Sequence, residues 1–127
     1  MVKVENACKI EKDFCNSCSS HFAKIRPHIK DVIISKHFER DIKNEDELNS
    51  IIKDVLDCSH AEFHELHKFE DNIEGILIFR ARKENLHILY CIDKNMRIIF
   101  LRAIRNFDEY KRLLDDKKEL KKIIRIV

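Results

Sequence analysis

GILIFRARKENLHILYCIDKNMRIIFLRA, residues 75–103, contains three β-rich runs, Gly75 to Arg82, Leu86 to Ile92 and Arg97 to Ala103. The polar segments Lys83-Glu84-Asn85 and Asp93-Lys94-Asn95-Met96 separate them, so the stretch predicts an antiparallel meander of two hairpins. Two-residue turns centred on Glu84-Asn85 and Lys94-Asn95 would set Arg82 opposite His87, Arg80 opposite Leu89, His87 opposite Arg102 and Leu89 opposite Phe100. Cross-strand partners share a face. One face is then apolar throughout: Leu77, Phe79, Ala81, Ile88, Tyr90, Ile92, Ile99, Leu101 and Ala103. The other is apolar at one end, with Ile78, Leu89, Cys91, Ile98 and Phe100, and basic at the other, with Arg80, Arg82, His87 and Arg102. Like charges opposed across strands repel, so a basic cluster with no acid on its own face requires an anionic ligand or acids from elsewhere in the fold. Solvated arginines on an open sheet face are the ordinary alternative.

Beyond the meander, Asn106 is placed to cap a last helix, with Glu109 at the capping-box position. Phe107, Tyr110, Leu113, Leu114, Leu120, Ile123 and Ile124 form its apolar side. Upstream, Asn44 followed by Glu45, Asp46 and Glu47 gives an N-cap and first-turn acids ahead of Leu48, Ile51, Ile52, Val55 and Leu56, the stripe of a second helix. Asp31 to Ser35 is a short β-branched strand candidate, and Phe38 to Lys43 a helical segment. His60 to Phe69 is ambiguous: Phe63, Leu66 and Phe69 fit a helical stripe, while Asp71-Asn72 behind them reads as a turn. From Val4 to Ile25 apolar residues recur at three- and four-residue spacing, which favours an amphipathic helix ended near Pro27. The expected class is α+β, an antiparallel sheet with helices on one face plus extra N-terminal and C-terminal helices.

Composition narrows function. The chain has 127 residues, enough for one domain, and its 44% hydrophobic residues can build a core beneath a surface in which 38% of all residues are charged. Apolar runs such as Ile76 to Phe79 and Ile98 to Leu101 fall far short of the roughly 20 residues that span a bilayer, so no membrane partner is expected. The first residues carry acids and bases and no apolar stretch, which predicts a cytoplasmic protein with reduced cysteines. A single Gly excludes glycine-rich phosphate loops. Residues 97–127 hold ten Lys/Arg against five Asp/Glu, and residues 1–96 hold fifteen against eighteen, so the C-terminal end is the one suited to face anions.

Two sets of metal-type residues compete with that reading. Cys8, Cys15, Cys18 and His21 contain a C-x-x-C-x-x-H arrangement that suits zinc if the chain turns around the ion. On a helix the three cysteines instead lie on the apolar stripe, where a free thiol behaves as a small hydrophobe, so core cysteine is the preferred reading and no cofactor is expected. His60, His64 and His67 have helical i, i+4, i+7 spacing, but HAEFH puts Ala61 where a metalloprotease needs Glu, and surface histidines are the simpler account. Lys117-Lys118 and Lys121-Lys122 equally suit a nucleic-acid backbone or the dipole of the last helix.

Residues 62–115 resemble the C-terminal half of RelE/ParE-superfamily toxins. The shared pattern is an Arg-bearing strand, a hairpin, an (I/L)-(L/I)-Y-x-(I/V)-D strand, here Ile88 to Asp93, a third strand, and a terminal R-x-x-x-x-Y, here Arg105 to Tyr110. The family also begins with a strand and helices, which residues 31–57 would supply. The chain would thus be one RelE/ParE-like domain, with residues 1–28 as an N-terminal helical extension and 29–127 as the toxin-like core. The extension and the absence of the family's usual Gly in the first hairpin mark a divergent member.

The resemblance implies a RelE-like endoribonuclease held inactive by a cognate antitoxin protein and cleaving mRNA, with or without the ribosome. In that branch the RNA's own 2′-hydroxyl attacks the scissile phosphate while basic side chains hold it. Matched by position, Arg80 and Arg82 fall on the Arg-bearing strand, Arg105 near the later basic position, and Tyr110 on the late Tyr; His87 stands where many members have Arg. The implied catalytic set is therefore Arg80, Arg82, His87, Arg102 and Tyr110, with Lys83, Arg105, Lys111 and Arg112 as RNA-binding residues. The gyrase-inhibiting ParE branch shares the fold without that chemistry, so a non-catalytic binding module with a protein target is the alternative.

Overall fold

The computed structural model describes residues 28–56 and 63–126. In chain order these form β1 (Asp31–Ile34), α1 (Lys36–Asp41), α2 (Glu45–Leu56), β2 (Glu65–Ile73), β3 (Ile76–Lys83), β4 (Leu86–Ile92), β5 (Arg97–Ile104), α3 (Phe107–Asp115) and α4 (Lys117–Ile126). Five strands make one sheet in the order β1-β5-β4-β3-β2; β1 runs parallel to β5 and every other pair is antiparallel. The α+β class and the meander are as expected. The N-terminal helix and the Cys8, Cys15, Cys18 and His21 set lie outside the described residues.

The caps follow the sequence. Asn44 Oδ1 accepts from the Glu47 N–H at 2.9 Å and Asn106 Oδ1 from the Glu109 N–H at 2.9 Å, each occupying an amide that the first helical turn leaves unpaired. The expected single last helix is two. Asp116 ends α3, its N–H donating to the Arg112 and Leu113 carbonyls, and its carboxylate accepts from the Glu119 N–H to start α4.

Helices cover both faces of the sheet instead of one. Phe38 of α1 and Ile51, Ile52, Val55 and Leu56 of α2 pack with Phe79, Ala81, Ile88, Tyr90, Ile98 and Phe100. On the opposite face Tyr110, Leu113, Leu120 and Ile123 of α3 and α4 pack with Ile78, Leu89, Cys91, Ile99 and Leu101. Burying a side chain such as Phe38 or Val55 completely stabilises the fold by about 1.5–3 kcal/mol each, which is what holds these short helices to the sheet.

Register differs from expectation in β5. The first hairpin pairs Arg82 with His87 and Arg80 with Leu89, as a two-residue turn at Glu84-Asn85 requires. The second has a three-residue loop: Asp93 donates to Arg97 across it, and Met96 takes a positive φ of 59°. A further extra residue, Leu101, bulges where Tyr90 pairs with Phe100 and Leu89 with Arg102. The longer loop moves Ile98 and Phe100 to the first face and Ile99 and Leu101 to the second, opposite to the two-residue-turn assignment, and the bulge returns Arg102 and Ala103 to the faces expected of them. His87 faces Ile104 and Leu89 faces Arg102.

The ambiguous His60 to Phe69 segment is a strand from Glu65 onward. It contains Asp71-Asn72 instead of turning there; the turn is Glu74-Gly75, with positive φ at both residues as a type I′ hairpin demands, and the chain's single glycine occupies it. Strand β2 carries two register shifts against β3, between Glu65 and Lys68 and between Phe69 and Asp71. Each inserts one extra residue, and the first of them lets Leu66 and Phe69 share a face at a spacing of three. His67 lies at the first bulge with φ 58°. It is fully buried rather than a surface histidine, and its Nδ1 is 2.7 Å from the Tyr90 hydroxyl.

Candidate active site

Arg80, Arg82 and His87 lie on the sheet face that α3 crosses, and α3 presents Tyr110 and Phe107 to them. His87 stacks on Tyr110 at 4.6 Å between centroids and 19° between planes, and Phe107 lies tilted against the imidazole at 5.6 Å and 56°. Phe107 and Tyr110 are three residues apart on one helix, so a single capped turn positions both rings. Arg80 reaches over the Tyr110 ring, its guanidinium carbon 5.7 Å from the centroid. A groove of about 360 Å³ opens beside them, with Glu70, Arg80, Phe107, Tyr110 and Lys111 among its walls.

The cluster is not free of acids. Glu65 and Glu70, both from β2, flank Arg80: Glu65 contacts Nη2, and Glu70 lies 3.2 Å from Nε, although neither contact has hydrogen-bond alignment. Glu70 is the extra residue of the second β2 bulge, which aims its carboxylate at the groove. These two acids were missed because the sequence reading gave β2 no strand identity; the isolated glycine at 75 was the available signal for a hairpin there.

Arg82 differs from its neighbours. Glu65 sits opposite it in register, yet the Glu65 carboxylate turns to Arg80, and no acid pairs with Arg82 among the described residues. Its Nε is buried without a partner, as is His87 Nδ1. Arg102, expected to join the cluster, is instead committed to the β5 edge. Asp41 takes its Nε at 2.7 Å and its Nη2 at 3.3 Å while also accepting the Ala103 N–H at 2.9 Å. Glu109 approaches the same guanidinium at 3.5 Å. Strand β1 ends before this stretch of β5, and Ser35 and Asp41 occupy the backbone groups it leaves exposed.

Among the residues expected to bind RNA, Arg105 is held by Glu47 at 2.7 Å and by the Asp41 carbonyl, and Lys83 stands 4.0 Å from Asp54. Both line a separate groove of about 310 Å³ next to the β3-β4 turn. Lys111 and Arg112 are exposed on α3, Lys111 at the cluster's own groove.

Electrostatics follow burial. The Glu70 carboxyl is raised above its ordinary 4.5 by burial, with Arg80 and Lys68 opposing and Glu65 adding to the rise. His87 is lowered below 6.5 by burial first, then by Arg80 and Arg82. Burial also works against the Arg102 charge, but the hydrogen bond and charge of Asp41 outweigh it and the pKa is raised. The Tyr110 phenol is pushed up by burial and by Glu70, so it stays protonated near neutrality and acts as a wall and not as a proton acceptor. Burial holds Cys91 up at about 12, an inert core thiol.

Among the described residues no group of His, Cys, Asp and Glu is arranged to hold a metal ion, and no helix is long and apolar enough to cross a membrane. The chain matches no model of a known protein family, no curated protein and no solved structure.

Proposed function

We propose that the chain is a RelE-like endoribonuclease that cleaves mRNA by attack of the RNA's own 2′-hydroxyl, with a cognate antitoxin protein as its partner. One observation carries the reading: on a sheet face whose other arginines are ion-paired, Arg82 has no acid among the described residues and stands directly across from His87. An unpaired guanidinium beside a buried imidazole suits a phosphodiester better than it suits an empty protein surface.

The chemistry needs three parts. The 2′-oxygen must lose a proton as it forms its bond to phosphorus, the 5′-oxygen must gain one as its bond breaks, and the charge on the phosphoryl oxygens must be met. Glu70 takes the first proton, since its raised pKa makes its carboxylate a stronger base. His87 in its charged form supplies the second, and its lowered pKa makes it a stronger acid. Arg82 meets the phosphate, with Arg80 held behind it by Glu65 and Glu70. The rise of the Glu70 pKa and the fall of the His87 pKa bring the two ionisations towards each other, so the rate should follow a narrow bell in pH.

The test is cleavage of translating mRNA by the purified protein, with product ends identified. The expected products carry a 2′,3′-cyclic phosphate and a 5′-hydroxyl, and a 2′-deoxy nucleotide at the scissile position stops the reaction. The ion-pairing of Arg80 and Arg102 favours a second reading, a non-catalytic module with a protein target. Intact mRNA together with unimpaired growth on expression without a partner would select that reading.

A further inference from the structure

We propose that Phe107 is a nucleobase platform, so that the groove takes single-stranded, base-bearing polynucleotide with one base laid on the Phe107 ring. This rests on the ribonuclease reading for the class of ligand and goes beyond it by assigning a base-binding position outside the residues that handle the phosphate.

Phe107 is 56% exposed, the one large hydrophobic side chain so exposed among the described residues. It is not loose. The Asn106 cap fixes the first turn of α3, and the ring leans on His87, which stacks on Tyr110, whose exposure is 1%. Three rings thus run from the core to solvent and hold the last one in place before any ligand arrives, which lowers the entropy lost on stacking. Its sequence neighbours Asn106, Asp108 and Glu109 are polar and exposed, and of the other apolar side chains in the groove wall Tyr110 and Leu120 are buried and Leu114 is half-buried, so Phe107 is the one exposed apolar side chain there. Protein hot spots sit inside a wider water-excluding contact, which this surface lacks. A nucleotide needs a π-face beside cations: Lys111, one helical turn along the same groove, has no acid partner among the described residues, while of the three acids in the groove wall Glu70 faces Arg80 and Asp71 faces Lys117, leaving Asp115.

The chain contains no tryptophan, so Phe107→Trp creates a single fluorophore at the platform. Titration with a short single-stranded oligoribonucleotide is expected to quench it saturably, and an abasic ribose-phosphate strand of the same length is expected to leave it bright. Phe107→Ala should raise the KM for mRNA cleavage roughly 5- to 100-fold, from the usual worth of one base-aromatic stack, and Phe107→Tyr should restore it while Phe107→Leu does not. Quenching by the base-bearing strand without any cleavage keeps the platform and removes the nuclease. Cleavage with wild-type KM in Phe107→Ala, or equal quenching by the abasic strand, overturns the platform and leaves the nuclease reading standing.

Discussion

Arg82 and Arg102 project from the same sheet face, yet substitution should separate them completely. Arg102 is 23% exposed and Asp41 17%, and two charge-assisted hydrogen bonds join them. A bond to a charged group contributes about 1.5–3 kcal/mol when shielded and less than about 1 kcal/mol when solvated, so this half-shielded pair should contribute about 2 kcal/mol. For a domain of this size Arg102→Ala should then lower Tm by roughly 6–10 °C. Asp41 keeps the Ala103 N–H in that variant, so the loss stops short of the cost of an orphaned buried charge. Arg82→Ala should shift Tm by less than about 2 °C, because no ion pair is broken. Cleavage of ribosome-bound mRNA should behave in the opposite way: Arg82→Ala loses on the order of 100-fold or more, and Arg102→Ala keeps most of its activity at a temperature where it is folded. Thermal melts with single-turnover cleavage on the same preparations make the comparison, and a double-mutant cycle of Asp41→Asn with Arg102→Gln isolates their coupling. A stable, inactive Arg102→Ala beside an active Arg82→Ala would refute the division of roles.

Glu70 binds its proton more tightly in the folded state, so the stability it contributes is full below 4.5 and is lost as pH rises through its folded pKa; the wild type should lose ground to Glu70→Gln over that rise in denaturant unfolding. His87 has the opposite sign, its pKa being lowered in the folded state, and the wild type should weaken relative to His87→Phe as pH falls below 6.5. Gly75→Ala should destabilise by about 1 kcal/mol, because φ is +87° there, whereas Met96→Gly should be neutral to mildly stabilising by relieving a left-handed non-glycine residue. Equilibrium unfolding of both variants reads the two signs.

What is local in the chain was legible in its sequence. Asn44 and Asn106 cap the helices they precede because a cap is set by the next three residues, and Arg82 meets His87 because a two-residue turn fixes register within a few positions of itself. Alternation named the strands β3, β4 and β5 for the same reason. The tertiary structure decided the rest. The extra residue of the Met96 loop shifts β5 by one and so exchanges Ile98 and Phe100 with Ile99 and Leu101, since in a strand a single step reverses the face, and the Leu101 bulge adds a second step that returns Arg102 and Ala103 to their expected faces. Strand β2 resembled a helix because its first bulge lets Leu66 and Phe69 share a face three residues apart. With β2 went Glu65 and Glu70, which bring negative charge to an apparently all-basic face from a strand paired on its far side. Asp41 claimed Arg102 across 61 residues of chain because β1 is too short to cover the end of β5, and no periodicity in the sequence records where a neighbouring strand stops.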